Sequence, residues 1–146
     1  MDPRWPTGET LDVVAMFPEE SFHYPIWNED GDNRWTMSLP HGGGFVQIQS
    51  GEVYDVAMFH QLRCLWDIRS SLEAANSTVG YLFEEDENVN SCFEYLRRSI
   101  FCHSDNTLEG AIGSHFLLDI SSPHVCRDWT RLYELVEDTS GELSNY

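Results

Sequence analysis

Two segments decide the fold of this chain: HQLRCLWDIR at residues 60–69 and NVNSCFEYLRR at residues 88–98. Each places a cysteine, Cys64 or Cys92, within a run of good helix formers. Apolar residues recur in both segments at intervals of three and four, which is typical of a helix with one buried face. The sequence therefore predicts a long helix over about 55–75 and a second one over about 88–102.

The predicted faces of these helices can be read from the same spacing. On the first helix the apolar positions are Phe59, Leu62, Trp66 and Leu72. On the second they are Val89, Cys92, Tyr95 or Leu96, and Ser99 or Ile100. An acidic run precedes the second helix, and negative charge stabilises the positive end of a helix dipole. Asp55 is in a suitable place to cap the first helix.

The rest of the chain predicts smaller elements. Residues 1–44 hold five of the six prolines, so they are expected to be loop-rich, with short extended pieces at 22–27 and 35–39. Residues 45–54 alternate weakly around a Ser-Gly-Glu turn and predict a hairpin. A loop over 105–123 leads to a third helix over 127–137.

These elements together predict one α+β domain, dominated by helices, with a small antiparallel β element near the N-terminus. A chain of 146 residues is long enough to close a single core. We divide it into a loop-rich segment at 1–34, the domain at 35–138 and a polar tail at 139–146.

Charge restricts the partners of the protein. There are 25 acidic residues against eight basic ones, all arginine, for a net charge of −17. Such a surface repels nucleic acid and anionic membranes. No stretch approaches the roughly 20 apolar residues that span a bilayer, and the polar start has no signal-peptide pattern. We therefore expect no nucleic-acid partner and no membrane contact from this chain.

Cysteine usage bears on the compartment. The four cysteines allow two disulfides in three connectivities, and their even number fits an oxidising lumen. Asn76 begins an N-x-S/T glycosylation acceptor between the two helices. Four reduced thiols in a cytosolic protein are the alternative.

The first helix also carries groups able to do chemistry. His60 and Cys64 are spaced i,i+4, so they lie on one face and have the spacing of a ligand pair. Arg63 is permanently cationic and opposes a metal ion beside them. Nucleophile elbows, zinc-protease motifs, phosphate loops and dinucleotide fingerprints do not occur in the sequence.

The two cysteine segments resemble the paired H-x-x-H-C motifs of the UstYa-like family, fungal proteins that tailor peptide and polyketide natural products. Three further segments are similar to family motifs: residues 35–46, which read WTMSLPHGGGFV, residues 95–109, which contain YLRR and TLE, and HVCRDW at 124–129. The resemblance covers most of residues 35 to 135.

This resemblance implies a metal site that the present residues alter. In the family the paired histidines are the presumed copper ligands, supplied by two facing helices. Here Arg63, Asn88 and Ser91 stand at three of those positions, and only His60 remains. We therefore expect no metal and no other cofactor, with copper as the alternative.

The resemblance also implies a lumenal domain, so we expect the secretory pathway, with the membrane anchor absent from this chain and the cytoplasm as the alternative. It further implies two disulfides joining the helical core. The candidates are Cys64, Cys92, Cys102 and Cys126.

A polar group remains where the metal site would be. His60 can act as a general base or acid, Arg63 can hold an enolate, and Asn88 and Ser91 can donate to a carbonyl. The candidate substrate-binding residues are Trp66, His103, Asp105 and His124. These groups predict a metal-independent, redox-neutral cyclase that acts on a small polyketide or peptide-derived precursor. The alternatives are a copper oxidase of the family type and a non-catalytic partner of a motif-complete homologue, and both homodimers and heterodimers are left open.

Overall fold

The computed structural model describes residues 10–18, 23–27, 29–48, 51–77, 86–112, 117–119 and 122–140. The helices in these ranges are α1 (Glu29–Met37), α2 (Ala57–Ser77), α3 (Glu87–His103) and α4 (Thr130–Ser140). The strands are β1 (Val13–Met16), β2 (Phe45–Gln47), β3 (Val53–Asp55), β4 (Gly110–Ile112), β5 (Leu117–Asp119) and β6 (His124–Arg127). Helices dominate, and this confirms the predicted α+β class.

The strands form three two-stranded antiparallel sheets. Strands β2 and β3 make the predicted hairpin, with Val46 opposite Tyr54. Strand β1 pairs with β6, so that Met16 lies opposite His124, and β4 pairs with β5. The prediction of a loop over 105–123 was wrong, because β4 and β5 lie within those residues. Strands of three residues are too short to show a clear alternation.

Helix α1 contradicts the extended piece predicted at 35–39. Its residues show no apolar stripe, and tertiary contacts hold it instead. The indole Nε1 of Trp35 donates to the carbonyl of Pro25 at 3.2 Å, and Tyr24 packs edge-on against the Trp35 ring. Residue 34 lies inside α1, and the predicted boundaries at 34 and 138 remain predictions.

The described chain divides into two compact units. The first contains β1, β4, β5, β6 and the start of α4, and the second contains α1, β2, β3, α2, α3 and the end of α4. The buried apolar residues all belong to the second unit: Val46, Phe59, Cys64, Cys92 and Val136. Predicted stripe residues Trp66, Leu72 and Ile100 are instead exposed.

A buried arginine fastens α1 to α2. The Arg69 side chain is only 3% exposed, and its guanidinium pairs with Asp32 on α1 and with Glu73 one turn along α2. Its Nε donates to the carbonyl of Pro25. Two carboxylates and a carbonyl thus satisfy a charge that would otherwise be costly to bury.

Helix ends follow local chemistry. Asp86 caps α3 by accepting from the backbone N–H groups of Asn88 and Val89, as the acidic run predicts. Asp128 accepts from the backbone N–H of Thr130 at the start of α4. Within the described ranges, no helix combines the length and apolarity that a bilayer crossing needs.

Candidate functional site

The candidate site lies at the N-terminal end of α2. His60 and Arg63 are three residues apart, so they share one face of the helix, and their side chains lean toward its start. Asp55 ends strand β3 just before the helix. Its Oδ2 pairs with Nη2 of Arg63 and lies 3.5 Å from Nδ1 of His60. One carboxylate oxygen therefore contacts both side chains.

Arg63 has two further contacts. Its Nη1 donates to the carbonyl of Gly43, and its guanidinium lies over the Phe45 ring, 4.8 Å from the centroid. Gly43 has φ +71°, a conformation that glycine adopts without strain. The side chain of Arg63 is 24% exposed. The guanidinium is thus held by a carboxylate, a carbonyl and a ring.

His60 is held from the other side by α3. Its imidazole stacks on Tyr95 with the ring centroids 4.1 Å apart and the planes 16° from parallel. Its side chain remains 42% exposed. A fixed ring that solvent still reaches can exchange a proton with a bound molecule.

The disulfide gives the direction of the two helices. Cys64 on α2 is bonded to Cys92 on α3. His60 precedes its cysteine, whereas its partner Tyr95 follows the other one, so α2 and α3 run antiparallel. Asn88 lies seven residues before Tyr95, about 10 Å along the helix. The two helices pack against each other, but their opposite directions place the residues before Cys64 and those before Cys92 on opposite sides of the disulfide along the pair.

Asn88 is consequently separated from His60 along the pair of helices, whereas Ser91 lies one turn before Tyr95 on α3. Asn88 and Ser91 are both exposed near the start of α3, where the backbone N–H of Asn88 belongs to the cap made by Asp86. The structure brings His60 and Arg63 together through Asp55, but it does not add Asn88 to them. The catalytic roles assigned to these four residues remain predictions.

The first unit contains a second polar group. Nδ1 of His124 is 2.7 Å from Asp105 Oδ2, and its Nε2 is 3.5 Å from Glu109. Asp105 also accepts from the backbone N–H and the hydroxyl of Thr107. The hydrogen bond to Asp105 raises the pKa of His124. The hydrogen bonds from His124 and Thr107 lower the pKa of Asp105 to about 2.

The other predicted residues lie apart from these groups. His103 ends α3 with its Nδ1 2.8 Å from the carbonyl of Ser99 in its own helix. Trp66 is exposed on α2, and Asn76 is exposed in its last turn. Substrate binding and glycosylation remain predictions.

The cysteines correct the expectation of two disulfides. One bond joins α2 to α3, whereas Cys102 and Cys126 are free thiols. Cys102 belongs to the second unit and Cys126 to the first.

The residues around His60 do not fit a copper ion. Copper in proteins prefers several imidazoles or sulfur ligands, and here the sulfurs of Cys64 and Cys92 are bonded to each other. The charged side chains beside His60 are those of Asp55 and Arg63, which are paired with each other. Arg63 is a cation and would repel a metal ion. In the part of the chain that the structure describes, no group of three or more His, Cys, Asp or Glu side chains could hold a metal.

Asp55 is not among the predicted site residues, because its place just before a helix indicates a helix cap. The available signal was charge: an acidic residue stands just before a helix whose first turns carry a histidine and an arginine. The spacing of Tyr95 predicts a place in the buried stripe of the second helix. Its stacking on His60 could not be predicted, because it depends on the antiparallel direction of α2 and α3.

Comparison with known proteins gives consistent results. The family model described as "Mycotoxin biosynthesis protein UstYa" matches residues 2–137. The UstYa family oxidase phomYb of Diaporthe leptostromiformis is 30% identical over 137 residues, covering 76% of this chain and 51% of the relative. Oxidase ustYb of Aspergillus flavus is 30% identical, covering 53% of this chain and 44% of the relative.

A third relative, oxidase ustYa of Aspergillus flavus, is 34% identical over 73 residues, covering 49% of this chain and 33% of the relative. The chain thus spans about half or less of the length of these relatives. No solved structure matches. Because the family model covers nearly the whole sequence, and the two cysteine segments it includes are joined by a disulfide, the chain belongs to the UstYa family.

Proposed function

We propose that this chain is a tailoring enzyme of fungal natural-product biosynthesis and catalyses a redox-neutral ring closure without a metal. Its family and its relatives, which are named as oxidases of this family, support the tailoring role. The observation that carries the cyclase proposal is the Asp55–Arg63 pair beside His60, which puts a fixed guanidinium where the family resemblance places a ligand.

The residues support proton transfer with a balanced outcome. His60 removes a proton from an activated C–H or O–H group of the precursor, and the electron pair left behind forms the new bond within the same molecule. His60 then returns the proton to the position that has gained charge. Arg63 has N–H groups beyond the two that are bonded to Asp55 and Gly43, and one of these donates to the enolate-like intermediate. One well-placed donor of this kind is worth about 3 kcal/mol. The product is an isomer of the precursor. Where the new bond displaces a hydroxyl group instead, the C–O bond breaks, the hydroxyl takes the proton from His60 and leaves as water, and the product is the precursor minus water.

A copper-dependent oxidase is the second candidate, favoured by the names of the relatives. The disulfide supports a lumenal location for either enzyme, because such bonds persist in oxidising compartments. The third candidate is a non-catalytic role, in which this chain forms a heterodimer with a motif-complete homologue.

Two measurements test the proposal. Elemental analysis of protein purified without chelators should find well below one copper per chain. Extract from a fungal strain lacking the gene should be converted by the purified chain without oxygen or reductant, and mass spectrometry should identify an isomer or a dehydration product.

The variants His60→Ala and Arg63→Ala should slow this conversion about a hundredfold, in line with the loss of an acid–base group or a charge donor. His23→Ala is the matched control, because His23 is exposed and contacts Arg34 rather than the site, and it should keep the wild-type rate. Near-stoichiometric copper that is lost in His60→Ala, or turnover that requires oxygen, would establish the oxidase instead. No conversion under either atmosphere would favour the non-catalytic partner.

A further inference from the structure

Asp55 is the residue whose carboxylate contacts both His60 and Arg63. It ends β3 two residues before α2 begins, and both His60 and Arg63 reach back to the same Oδ2. We propose that Asp55 is a positioning residue that holds the neutral His60 with its proton on Nδ1 and its lone pair on Nε2. This inference rests on the proposed function only for its consequence for rate.

The carboxylate and the Tyr95 ring restrain different motions of the imidazole. Stacking on Tyr95 at 4.1 Å fixes the plane of the ring, and the carboxylate selects which edge of the ring faces the protein. Nδ1 lies 3.5 Å from Asp55, an ion-pair distance that can shorten to a hydrogen bond when a ligand fills the site. With Nδ1 directed at a carboxylate, Nε2 lies on the opposite edge and is the nitrogen available to a bound molecule.

Arg63 gives the carboxylate its fixed place. Its Nη2 pairs with Asp55, its Nη1 donates to the Gly43 carbonyl, and Phe45 lies under its guanidinium. An ionised carboxylate is an acceptor only, so it can receive the N–H of the imidazole but cannot donate to it. The order Arg63, Asp55, His60 therefore determines the tautomer.

The test uses nitrogen NMR of the full chain labelled with ¹⁵N-histidine, at a pH near 9 where neutral imidazole dominates. The His60 signals are assigned by their loss in His60→Gln. In the wild type we expect a protonated Nδ1 and an unprotonated Nε2. In Asp55→Asn the proton should move toward Nε2, the position that a histidine side chain without a partner prefers. Asp67→Asn on the same helix should leave the His60 signals unchanged.

Asp55→Glu keeps the carboxylate and should restore part of the Nδ1–H population. If Asp55→Asn does not fold, as judged by circular dichroism, Asp55→Glu still tests the inference through its partial tautomer change. A wild-type His60 protonated on Nε2, or a tautomer that is the same in Asp55→Asn, would overturn the inference.

A rate measurement on the gene-deletion extract connects the tautomer to function. Asp55→Asn should lower the conversion rate about 10- to 100-fold, and Asp55→Glu should recover part of it. The two proposals fail separately. A tautomer controlled by Asp55 together with oxygen-dependent turnover rejects the cyclase alone, and anaerobic turnover with an indifferent tautomer rejects the positioning role alone.

Discussion

At the scale of single residues, the main finding is that the guanidinium of Arg63 is paired with the carboxylate of Asp55. An unpaired guanidinium beside His60 would only repel a metal ion. Paired with Asp55, it becomes part of a hydrogen-bonded group that keeps its charge and its place. The sequence was enough to place His60 and Arg63 on one face of a helix, because they are three residues apart, and their catalytic roles remain predictions. Asp55 could not be chosen from the sequence alone, since a carboxylate before a helix more often caps it.

The glycine run before β2 gives a prediction at this scale. Gly44 has φ +94°, and a Cβ placed there would lie 2.2 Å from Cβ of the buried Phe59. Gly44→Ala should therefore lower the free energy of unfolding by more than about 2 kcal/mol, because it combines backbone strain with a clash. Urea denaturation measures this change.

Gly51→Ala is the matched control for that measurement. Gly51 has a similar φ of +86°, but its nearest neighbour would be 3.8 Å away. Gly51→Ala should lower the free energy of unfolding by only about 1 kcal/mol, the cost of a left-handed backbone for a residue with a Cβ. Equal losses in the two variants would show that Phe59 yields to the added methyl group.

At the scale of elements, the antiparallel pairing of α2 and α3 decides which residues meet. The repeated motif suggested two facing copies, but consecutive helices joined by a short connection usually run antiparallel. Helix α2 ends at Ser77 and α3 begins at Glu87, so the connection length itself favoured this direction. Helix existence was predictable from periodicity, and the bounds were right to within two residues for these two helices. The hairpin of β2 and β3 was also predictable, from its turn and its alternation. The other strands and α1 were not, because they are too short to show a pattern or are formed by tertiary contacts.

The His124 group in the first unit gives a prediction about pH. Its pKa is raised by Asp105 and, in smaller part, by Glu109, so the imidazolium stabilises the fold at low pH and this contribution disappears as the pH rises through the raised value. The pKa of Asp105 is lowered to about 2, so its contribution is complete above its ordinary value and is lost as the pH falls toward 2. The pair should stabilise most between about pH 4 and pH 6.5.

Thermal unfolding measured across this pH range tests the expectation. The wild type should lose melting temperature between pH 6.5 and 9, and His124→Gln should lose less. His103→Gln is the control, because that ring contacts a carbonyl of its own helix rather than a carboxylate. Parallel pH curves for the wild type and His124→Gln would contradict the prediction.

At the scale of the whole molecule, composition gave the class of protein but not its covalent connections. The helix-dominated α+β class could be predicted because it depends on periodicity summed over long segments. The number of disulfides could not, because an even cysteine count is compatible with none, one or two bonds. The structure has one, and it joins the two segments from which the family resemblance was read.

Thiol counting checks this connectivity. The denatured, unreduced protein should show two reactive thiols per chain, from Cys102 and Cys126, and four after reduction. Reduction should lower the free energy of unfolding by about 3 kcal/mol, because it releases a constraint on 28 residues of sequence separation. Cys102→Ser together with Cys126→Ser should abolish the two thiols and leave stability nearly unchanged. Four thiols without reduction would show that the helices are not joined.

The Asp55–Arg63 pair also determines what a change back toward the family motif would do to the protein. A single change of Arg63 to histidine would not simply restore the family motif, because it would leave the Asp55 carboxylate without its guanidinium and the Gly43 carbonyl without its donor. Restoring the motif at this end of α2 therefore requires coordinated changes in the helix and in the strand before it. Arg63→His alone should therefore lower the free energy of unfolding, and a matching change of Asp55 should recover part of that loss.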